Sequence, residues 1–338
     1  MSEIRHLLDW QHVSQSDWER VLARTVEHYR AGRVFGNAAK GRSLGLLFFN
    51  SSLRTRTSME LAGVQLGAHV TTLNVGQGTW GFAWEDGEVM DGEAAEHIRE
   101  AVGVLGRYYD ALGVRMFAGG TDYESDRSDR LLHRFADASS VPVINLESAF
   151  YHPCQAMGDA GTLNVHFNGE VRRRRFVLAW AYHPRALPMA VPNSALLTAA
   201  RLGMDVTVAR PDTHALDPGV MALARDYAAA AGGSVQESTD LESACADAEV
   251  VYAKAWGGPM IYDRSEEEKE IRSTLKHWRI TEKHLAGASK PVFMHCLPVR
   301  RNVVVDDAVL DGRQSIHLLQ AEFRLHAQKA ILEYVWGL

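Results

Sequence analysis

The chain has 338 residues and a formal net charge of −6, with 46% hydrophobic and 23% charged residues. This balance is ordinary for a soluble globular protein, and the acidic net charge argues against nucleic acid or an anionic membrane as the main partner. No apolar run reaches the ~20 residues of a membrane-spanning helix, and the N-terminus lacks the apolar core of a signal peptide. The three cysteines suggest neither a disulfide framework nor a zinc site. We therefore expect a cytoplasmic protein with no metal and no cofactor.

The first part of the chain alternates predicted helices and strands. Ser16 and Glu19 form a capping-box pattern that predicts a helix over residues 17–31. Short apolar runs predict parallel strands at 44–49, 70–73, 111–115 and 141–145. Further helices are predicted from Arg54, over 94–108 and over 128–138. Between them, residues 74–93 form a glycine-rich loop with three large aromatics, which packs either on its own domain or on a neighbouring subunit.

A predicted helix at 154–166 leads into a second alternation. Its strands are predicted at 176–180, 205–209, 234–236, 249–252 and 292–294, and its helices at 193–203, 218–231 and 240–246. A closing helix at 320–336 should return to the first domain. Alternation of this kind favours parallel sheets, and 338 residues exceed one comfortable core.

We therefore predict an α/β fold of two domains, each a parallel doubly wound sheet with helices on both faces. The first comprises residues 1–150 with the closing helix 320–338, and the second residues 151–319. In such folds ligands bind beyond the carboxyl ends of the strands, so we expect the active site in the cleft between the domains.

The turn after the first strand is rich in hydroxyls. Residues 51–58 carry five hydroxyl side chains together with the guanidinium groups of Arg54 and Arg56. A helix N-terminus with these groups suits a phosphate. The alternative is a helix cap with two solvated arginines.

Three motifs in the same order resemble the aspartate and ornithine transcarbamylases. They are the Ser-x-Arg-Thr-Arg of residues 52–56, the His-Pro-Cys-Gln of 152–155 and the His-Cys-Leu-Pro of 295–298. Further segments resemble the N-acylornithine branch of that family, namely Trp80 with its neighbours, 89–92, 180–194 and 300–302. The resemblance implies a carbamoyltransferase of arginine biosynthesis.

The resemblance also implies the residues that bind carbamoyl phosphate. They are Ser52, Leu53, Arg54, Thr55, Trp80, Arg115, His152, Gln155, Cys296, Leu297 and Arg324. Thr55, Arg115 and His152 are the implied catalytic residues, and Cys296 is a contact rather than a nucleophile. Trp80 would reach the site of an adjacent subunit, which implies a homotrimer with shared active sites. Structural alternatives remain for single residues: Arg115 could pair with Asp110 or Asp122, Trp80 could be core, and Arg324 could be a surface charge.

The implied second substrate is an N-acylornithine. Its implied contacts are Glu147, Asn193, Lys254, Leu297 and Arg300. One alternative is an ornithine transcarbamylase, although an ammonium facing Lys254 would be repelled. A solvated strand end is the structural alternative for Lys254. A further alternative, a non-catalytic anion-binding paralogue, predicts broken motifs, and the three motifs are intact.

Two positions bear on the acyl group. The acetylornithine enzymes resemble this chain but carry a glutamate in place of Ala95 and a lysine, found carboxylated, in place of Val304. The succinylornithine enzymes have apolar residues at both positions. Neutral side chains would leave space for the extra carboxylate of a succinyl group, with which Arg185 or Arg300 could pair. We therefore expect N-succinylornithine to be preferred, with N-acetylornithine second, although the alternative is that both changes are neutral drift.

Overall fold

The structure is a computed structural model that describes residues 4–287 and 291–338. Three residues of the N-terminal segment considered above thus lie outside the described residues. Within these ranges no helix is long and apolar enough to cross a membrane. The chain divides into two compact units. The first runs to Gly119 and includes Glu124–Met157 and Arg324–Leu338, whereas the second comprises Gly120–Tyr123 and Gly158–Phe323.

The first unit is built on a four-stranded parallel sheet with the order β2-β1-β5-β6. Its strands are β1 (Ser43–Phe48), β2 (His69–Asn74), β5 (Ala111–Arg115) and β6 (Val143–Glu147), and a separate two-stranded pair joins β3 (Phe82–Ala83) to β4 (Glu96–His97). Its helices are α1 (Gln15–Ala31), α2 (Arg54–Gln65), α3 (Ile98–Tyr108), α4 (Tyr123–Arg127) and α5 (Arg130–Asp137), with Tyr123 itself grouped in the second unit. The order reverses between β1 and β5, so the ligand position of this sheet lies beyond their carboxyl ends.

The second unit has a five-stranded parallel sheet with the order β11-β10-β7-β8-β9. Its strands are β7 (Arg175–Trp180), β8 (Asp205–Ala209), β9 (Ser234–Ser238), β10 (Val250–Lys254) and β11 (Val292–Met294). Its helices are α7 (Ala190–Arg201), α8 (Pro218–Ala231), α9 (Leu241–Cys245), α10 (Ser265–Thr274) and α11 (Asp307–Leu310). Here the order reverses between β7 and β10, and Lys254 pairs with Trp180 at that point.

Two helices have residues in both units. They are α6 (Pro153–His166), which passes from the first unit to the second after Met157, and α12 (His317–Trp336), which belongs to the first unit from Arg324 onward. The prediction of two parallel α/β units is confirmed.

The helix α2 lies close to the sheet because it has no side chain at Gly63. A β-carbon there would come within 2.5 Å of the Val70 side chain and within 3.5 Å of the Leu44 side chain. The strand β1 beneath it is buried from Leu44 to Phe48, as an apolar run in a parallel sheet requires. This close seating fixes the N-terminus of α2 relative to the end of β1.

The structure corrects several local predictions. The cap of α1 is Ser14, which accepts a hydrogen bond from the Asp17 N–H, and not Ser16. The predicted helix over 94–108 begins only at Ile98, because Glu96 and His97 pair with β3. The predicted helix over 128–138 is broken at Asp129, whose backbone is left-handed, with α4 before it and α5 after it.

The closing helix α12 is buried on nearly every side from Phe323 onward. Its buried polar residues therefore need partners. Glu333 accepts hydrogen bonds from Arg24 at 2.6 and 2.9 Å, and it lies 3.0 Å from the His28 ring nitrogen. These contacts join α12 to α1 within the first unit.

Candidate active site

The hydroxyl-rich turn follows β1 and opens α2. The Ser52 hydroxyl accepts a hydrogen bond from the Thr55 N–H at 3.2 Å, and the Thr57 hydroxyl donates to the Leu53 carbonyl at 2.8 Å. Leu53 is 76% exposed although it is apolar, so its side chain does not hold the turn in place. The turn therefore presents the N-terminal backbone of α2 at the position where the strand order reverses.

The two arginines of this turn have different surroundings. Arg56 donates a hydrogen bond to the Asn74 side chain, and its guanidinium lies 4.9 Å above the centre of the Phe48 ring. Arg56 is thus engaged in packing α2 against the sheet, which favours Arg54 as the guanidinium group that serves a phosphate. Arg54, the first residue of α2, is the guanidinium group of the turn that acts electrostatically on His152.

Arg324, in α12, connects α2 to α6 in the interior of the first unit. It donates to the Gln155 side-chain oxygen at 2.7 Å and to the Thr55 hydroxyl at 2.9 Å. All three side chains are buried. The alternative of Arg324 as a surface charge is therefore wrong, and a single guanidinium brings together predicted site residues from three helices.

Arg115 and Glu147 are paired at the ends of adjacent strands. A register irregularity between β5 and β6 sets Val114 opposite Asn145 but Arg115 opposite Glu147. The guanidinium then donates to the Glu147 carboxylate, and it lies 4.5 Å from the centre of the Phe117 ring. Neither of the two aspartates considered in the sequence analysis is the partner. β6 carries one extra residue between these two pairs. Without it, the alternation of side chains along the strand would point the Glu147 carboxylate away from Arg115.

His152 completes this group. Its Nε2 lies 3.5 Å from the Glu147 carboxylate, and its ring is almost wholly buried. Burial lowers the pKa of His152 well below its usual value, and the guanidinium groups of Arg324, Arg115 and Arg54 lower it further. The imidazole is therefore neutral near pH 7 and can donate one hydrogen bond without adding charge.

The first unit thus combines a neutral buried imidazole with three permanently charged guanidinium groups that act on it. Glu147 is the carboxylate in contact with this group. It contacts both Arg115 and His152, and its predicted contact with the amine substrate stays a prediction. Such a cluster is suited to an anion with more than one negative charge.

The glycine-rich loop at residues 74–93, which carries three large aromatics, has a packed part and an exposed part. Phe82 and Trp84 pack against the core of the first unit, both beside Phe49. Trp80 instead is 56% exposed, and its indole N–H donates to the Glu96 carboxylate at 2.7 Å. Val89, also exposed, adds apolar surface to the same loop. The alternative of Trp80 as a core residue is therefore wrong.

In the second unit, the His-Cys-Leu-Pro turn is held by buried polar groups. The His295 N–H donates to the Gln320 side chain at 2.9 Å, and Gln320 donates to Asp159 at 2.7 Å. The His295 Nδ1 then accepts from the Leu297 N–H at 2.9 Å, with Leu297 in a left-handed conformation at φ 57°. Cys296, between them, is partly buried. The turn follows β11 and is fixed in shape by these bonds.

A group of cations surrounds His183 just beyond β7. The Arg300 Nε donates to the His183 Nε2 at 3.0 Å, and the opposite ring nitrogen lies 2.9 Å from the Arg185 carbonyl. Burial lowers the pKa of His183, and the charges of Arg300, Lys254 and Arg272 lower it further. The ring is thus a neutral acceptor in a positive region. No role was predicted for His183, although its position shortly after the end of a strand was a usable signal.

Three further residues predicted for the amine site or for acyl specificity are buried, namely Lys254, Asn193 and Val304. Lys254 is only 8% exposed, and its ammonium donates to the Ala255 carbonyl at 2.9 Å, so the alternative of a solvated strand end is wrong. Asn193 is fully buried in α7. Val304 is 2% exposed and therefore packs in the second unit instead of leaving open space, whereas Ala95 is exposed in the first unit.

Within the described residues, histidine, cysteine and carboxylate side chains form no group of three that could hold a metal ion.

Comparison with known proteins adds family information to this geometry. The carbamoyl-P binding domain of the aspartate/ornithine carbamoyltransferases matches residues 5–164, and the Asp/Orn binding domain of the same family matches residues 189–335. The N-acetylornithine carbamoyltransferase of Xanthomonas campestris pv. campestris is 44% identical over 336 residues, which cover 99% of this chain and 98% of that protein. The N-succinylornithine carbamoyltransferase of Bacteroides fragilis is 33% identical over 317 residues, or 94% of each chain.

A solved structure is similar over almost the whole chain. It is an N-acetyl-L-ornithine transcarbamylase in which one glutamate is replaced by alanine, complexed with carbamyl phosphate and N-succinyl-L-norvaline. The TM-score is 0.93 at 44% sequence identity, and the match covers 97% of this chain and 99% of the other.

Proposed function

The chain belongs to the aspartate/ornithine carbamoyltransferase family, and we propose that it transfers the carbamoyl group of carbamoyl phosphate to the side-chain amine of an N-acylornithine. The amine nitrogen forms a bond to the carbamoyl carbon, the bond from that carbon to the phosphate oxygen breaks, and the proton that the amine loses passes to the departing phosphate. The products are an N-acylcitrulline and phosphate. We place this reaction in arginine biosynthesis in the cytoplasm.

The observation that carries the proposal is the charge arrangement around His152. Three guanidinium groups act on one buried, neutral imidazole, beside a hydroxyl-rich helix N-terminus at the point where the strand order reverses. Carbamoyl phosphate is an anion whose leaving phosphate must be held and whose carbonyl oxygen gains charge during attack. Fixed donors aimed at such charges are the main source of catalysis in acyl transfer.

We assign roles on this basis. The phosphate is bound by the turn that contains Ser52, Leu53, Arg54 and Thr55, and the carbonyl oxygen by Arg115 and His152. Gln155 and the Leu297 carbonyl accept from the carbamoyl NH₂ group. Arg324 holds Thr55 and Gln155 in place through its two hydrogen bonds. In this assignment residues 1–150 with 320–338 bind carbamoyl phosphate, and residues 151–319 bind the N-acylornithine.

The positive region of the second unit suits the carboxylates of the amine substrate. Arg300 and Lys254 both act on His183, so a carboxylate there meets two cations. The free α-ammonium of ornithine would be repelled by the same charges, which favours a substrate whose α-amine is acylated.

A direct assay tests the function. Purified protein with carbamoyl phosphate is expected to convert N-acylornithines to N-acylcitrullines, measured by colorimetric detection of the ureido product, with free L-ornithine the poorest substrate. The three amines to be compared are N-succinyl-L-ornithine, N-acetyl-L-ornithine and free L-ornithine. A protein that binds carbamoyl phosphate but forms no ureido product from any of them would instead be the non-catalytic paralogue. Preference for free ornithine would establish the ornithine transcarbamylase alternative.

For the acyl group we propose that N-succinyl-L-ornithine is preferred. The resemblance places a glutamate of the acetylornithine enzymes at the position of Ala95, and the similar structure with one glutamate replaced by alanine holds N-succinyl-L-norvaline. A methyl group at residue 95 removes a negative charge that would repel the succinyl carboxylate. Overall identity is higher to the acetylornithine enzyme, at 44% against 33%, so the preference is carried by this residue and not by the whole chain.

Replacing Ala95 by glutamate is expected to reverse this preference. A charge-pair difference of about 1–3 kcal/mol corresponds to roughly a 5- to 150-fold change in the ratio of kcat/KM for the two acylornithines. The matched control is Ala94→Glu, which adds the same charge one residue earlier and should change the ratio less than threefold. Equal shifts in both variants, or a wild-type enzyme that ignores N-succinylornithine, would contradict the assignment.

We further propose a homotrimer in which Trp80 completes the active site of the adjacent subunit. The support is the exposed indole on a loop whose other two aromatics pack on their own unit. Mixed trimers of Trp80→Ala and Arg54→Ala chains should recover activity, because a hybrid site can then be wild type at both positions.

The control for this experiment mixes Arg54→Ala with Arg115→Met chains. Both residues belong to the same unit of one chain, so their hybrids contain no wild-type site and should stay inactive. If verified Trp80/Arg54 hybrids stay as inactive as this control, Trp80 acts within its own chain.

A further inference from the structure

The segment between Glu147 and His152 is a closed turn organised around one hydroxyl. The Ser148 N–H donates to the Tyr151 carbonyl at 2.9 Å. The Ser148 hydroxyl oxygen accepts from the Asn145 amide at 2.9 Å and from the Tyr151 N–H at 3.2 Å. The two residues that flank this turn are the carboxylate and the imidazole of the candidate site, so the shape of the turn sets both positions together.

Asp129 holds this turn from outside the segment. The Ser148 hydroxyl donates to one carboxylate oxygen at 2.7 Å, and the Phe150 N–H donates to the other at 3.1 Å. Because both acceptor oxygens of a single carboxylate are used, the turn is fixed in rotation as well as in position.

Asp129 is itself in a costly conformation. It is 7% exposed and has the left-handed backbone angles φ 46° and ψ 39° just before α5. Burial raises the pKa of its carboxyl group to about 7 despite the hydrogen bonds that it accepts. Neither feature favours stability, and local strain retained in a fold points to a functional constraint.

We propose that Asp129 is a positioning residue for the proposed carbamoyl transfer, acting through Ser148 on the turn that places Glu147 and His152. The inference rests on the proposed function, since the turn matters only if its flanking residues meet the substrate. Asp129 does not touch the candidate substrate-binding side chains directly. Its effect is transmitted by the hydroxyl of Ser148 and the backbone of Phe150.

The test compares Asp129→Ala, Asp129→Asn, Ser148→Ala and the double variant Asp129→Ala/Ser148→Ala. Loss of the contact between Asp129 and Ser148 should lower kcat/KM roughly 10- to 100-fold, as small displacements of catalytic groups do. Asparagine keeps one acceptor oxygen and should recover a large part of that loss. The double variant should be no worse than Asp129→Ala by more than about twofold, because both changes remove the same contact.

The control is Glu333→Gln, which alters another buried carboxylate of the first unit that pairs with α1. It should lower the melting temperature and leave kcat/KM unchanged. If Asp129→Ala behaves like this control, or if the effects of Asp129→Ala and Ser148→Ala multiply, the positioning role is refuted. If Asp129→Ala fails to fold, Asp129→Asn and Ser148→Ala decide the matter by the same comparison.

Affinity for carbamoyl phosphate, measured by calorimetry, separates this proposal from the proposed function. If the wild type binds carbamoyl phosphate but transfers no carbamoyl group, the proposed function is refuted. The role of Asp129 in positioning the turn is then still tested by binding. Weakened binding of carbamoyl phosphate in Asp129→Ala and Ser148→Ala, with unchanged binding in Glu333→Gln, supports the positioning role of Asp129. If the wild type transfers nothing, wild-type affinity in all three variants overturns it.

Discussion

Replacing Arg54 by alanine will abolish detectable carbamoyl-phosphate binding and leave the fold intact. Arg54 is the first residue of α2 and acts on the buried His152 ring. A charged hydrogen bond contributes about 1.5–3 kcal/mol, so the loss of two such bonds weakens binding by roughly 10²- to 10⁴-fold. Because the side chain is only partly buried at a helix terminus, the melting temperature should change little.

The matched control is Arg56→Ala, two residues further along the same helix. Arg56 is bonded to Asn74 and lies over the Phe48 ring, so its removal should cost about 1 kcal/mol of stability and change the affinity less than about threefold. Titration calorimetry of both variants with carbamoyl phosphate measures the difference. Equal losses of affinity would show that the turn binds phosphate through its general charge, and an unchanged Arg54→Ala would refute the assignment.

Replacing Arg115 by methionine will reduce both turnover and stability. Methionine keeps apolar contact with Phe117 but removes the donor to Glu147, which leaves a nearly buried carboxylate without its cation. Breaking a buried pair from one side costs about 3–5 kcal/mol. Loss of a donor at a developing oxyanion lowers kcat by roughly 10²- to 10³-fold.

The double variant Arg115→Met/Glu147→Gln separates the two effects. Without the carboxylate there is no uncompensated charge, so the free energy of unfolding should return to within about 1 kcal/mol of the wild type. The kcat value should stay low, because the donor is still missing. Urea unfolding and steady-state rates measure both quantities. Recovery of activity together with stability would mean that Arg115 serves only to neutralise Glu147.

The strands of both sheets were predictable because each is a short, nearly continuous apolar run. The strands 111–115, 205–209 and 292–294 have the predicted bounds, and the other predicted strands differ by one or two residues at one end or at both. The polar residues just beyond them were predictable for the same reason, since ligands bind where parallel strands end. Their chemical roles stay predictions.

Pairings between distant residues were not predictable. Arg115 meets Glu147 through a register irregularity that no period-2 pattern reveals. Arg324 reaches Thr55 across 269 positions of sequence, and only the folded helices bring them together. The same holds for Arg56, whose partner Asn74 lies at the end of another strand. Local patterns determine which segments form elements, whereas these contacts depend on how the elements pack.

The neutral state of His152 has a consequence for the pH behaviour of the reaction. Burial is the leading cause of its low pKa, and the nearby guanidinium groups lower it further, so the ring of the free protein is uncharged near pH 7. The positive charges beside it are guanidinium groups, which do not titrate in proteins. The imidazole and guanidinium groups proposed to hold carbamoyl phosphate therefore keep one charge state across the neutral range in the free protein. The rise of rate with pH then follows the deprotonation of the attacking amine, whose pKa in water is near ~10, and so belongs to the substrate.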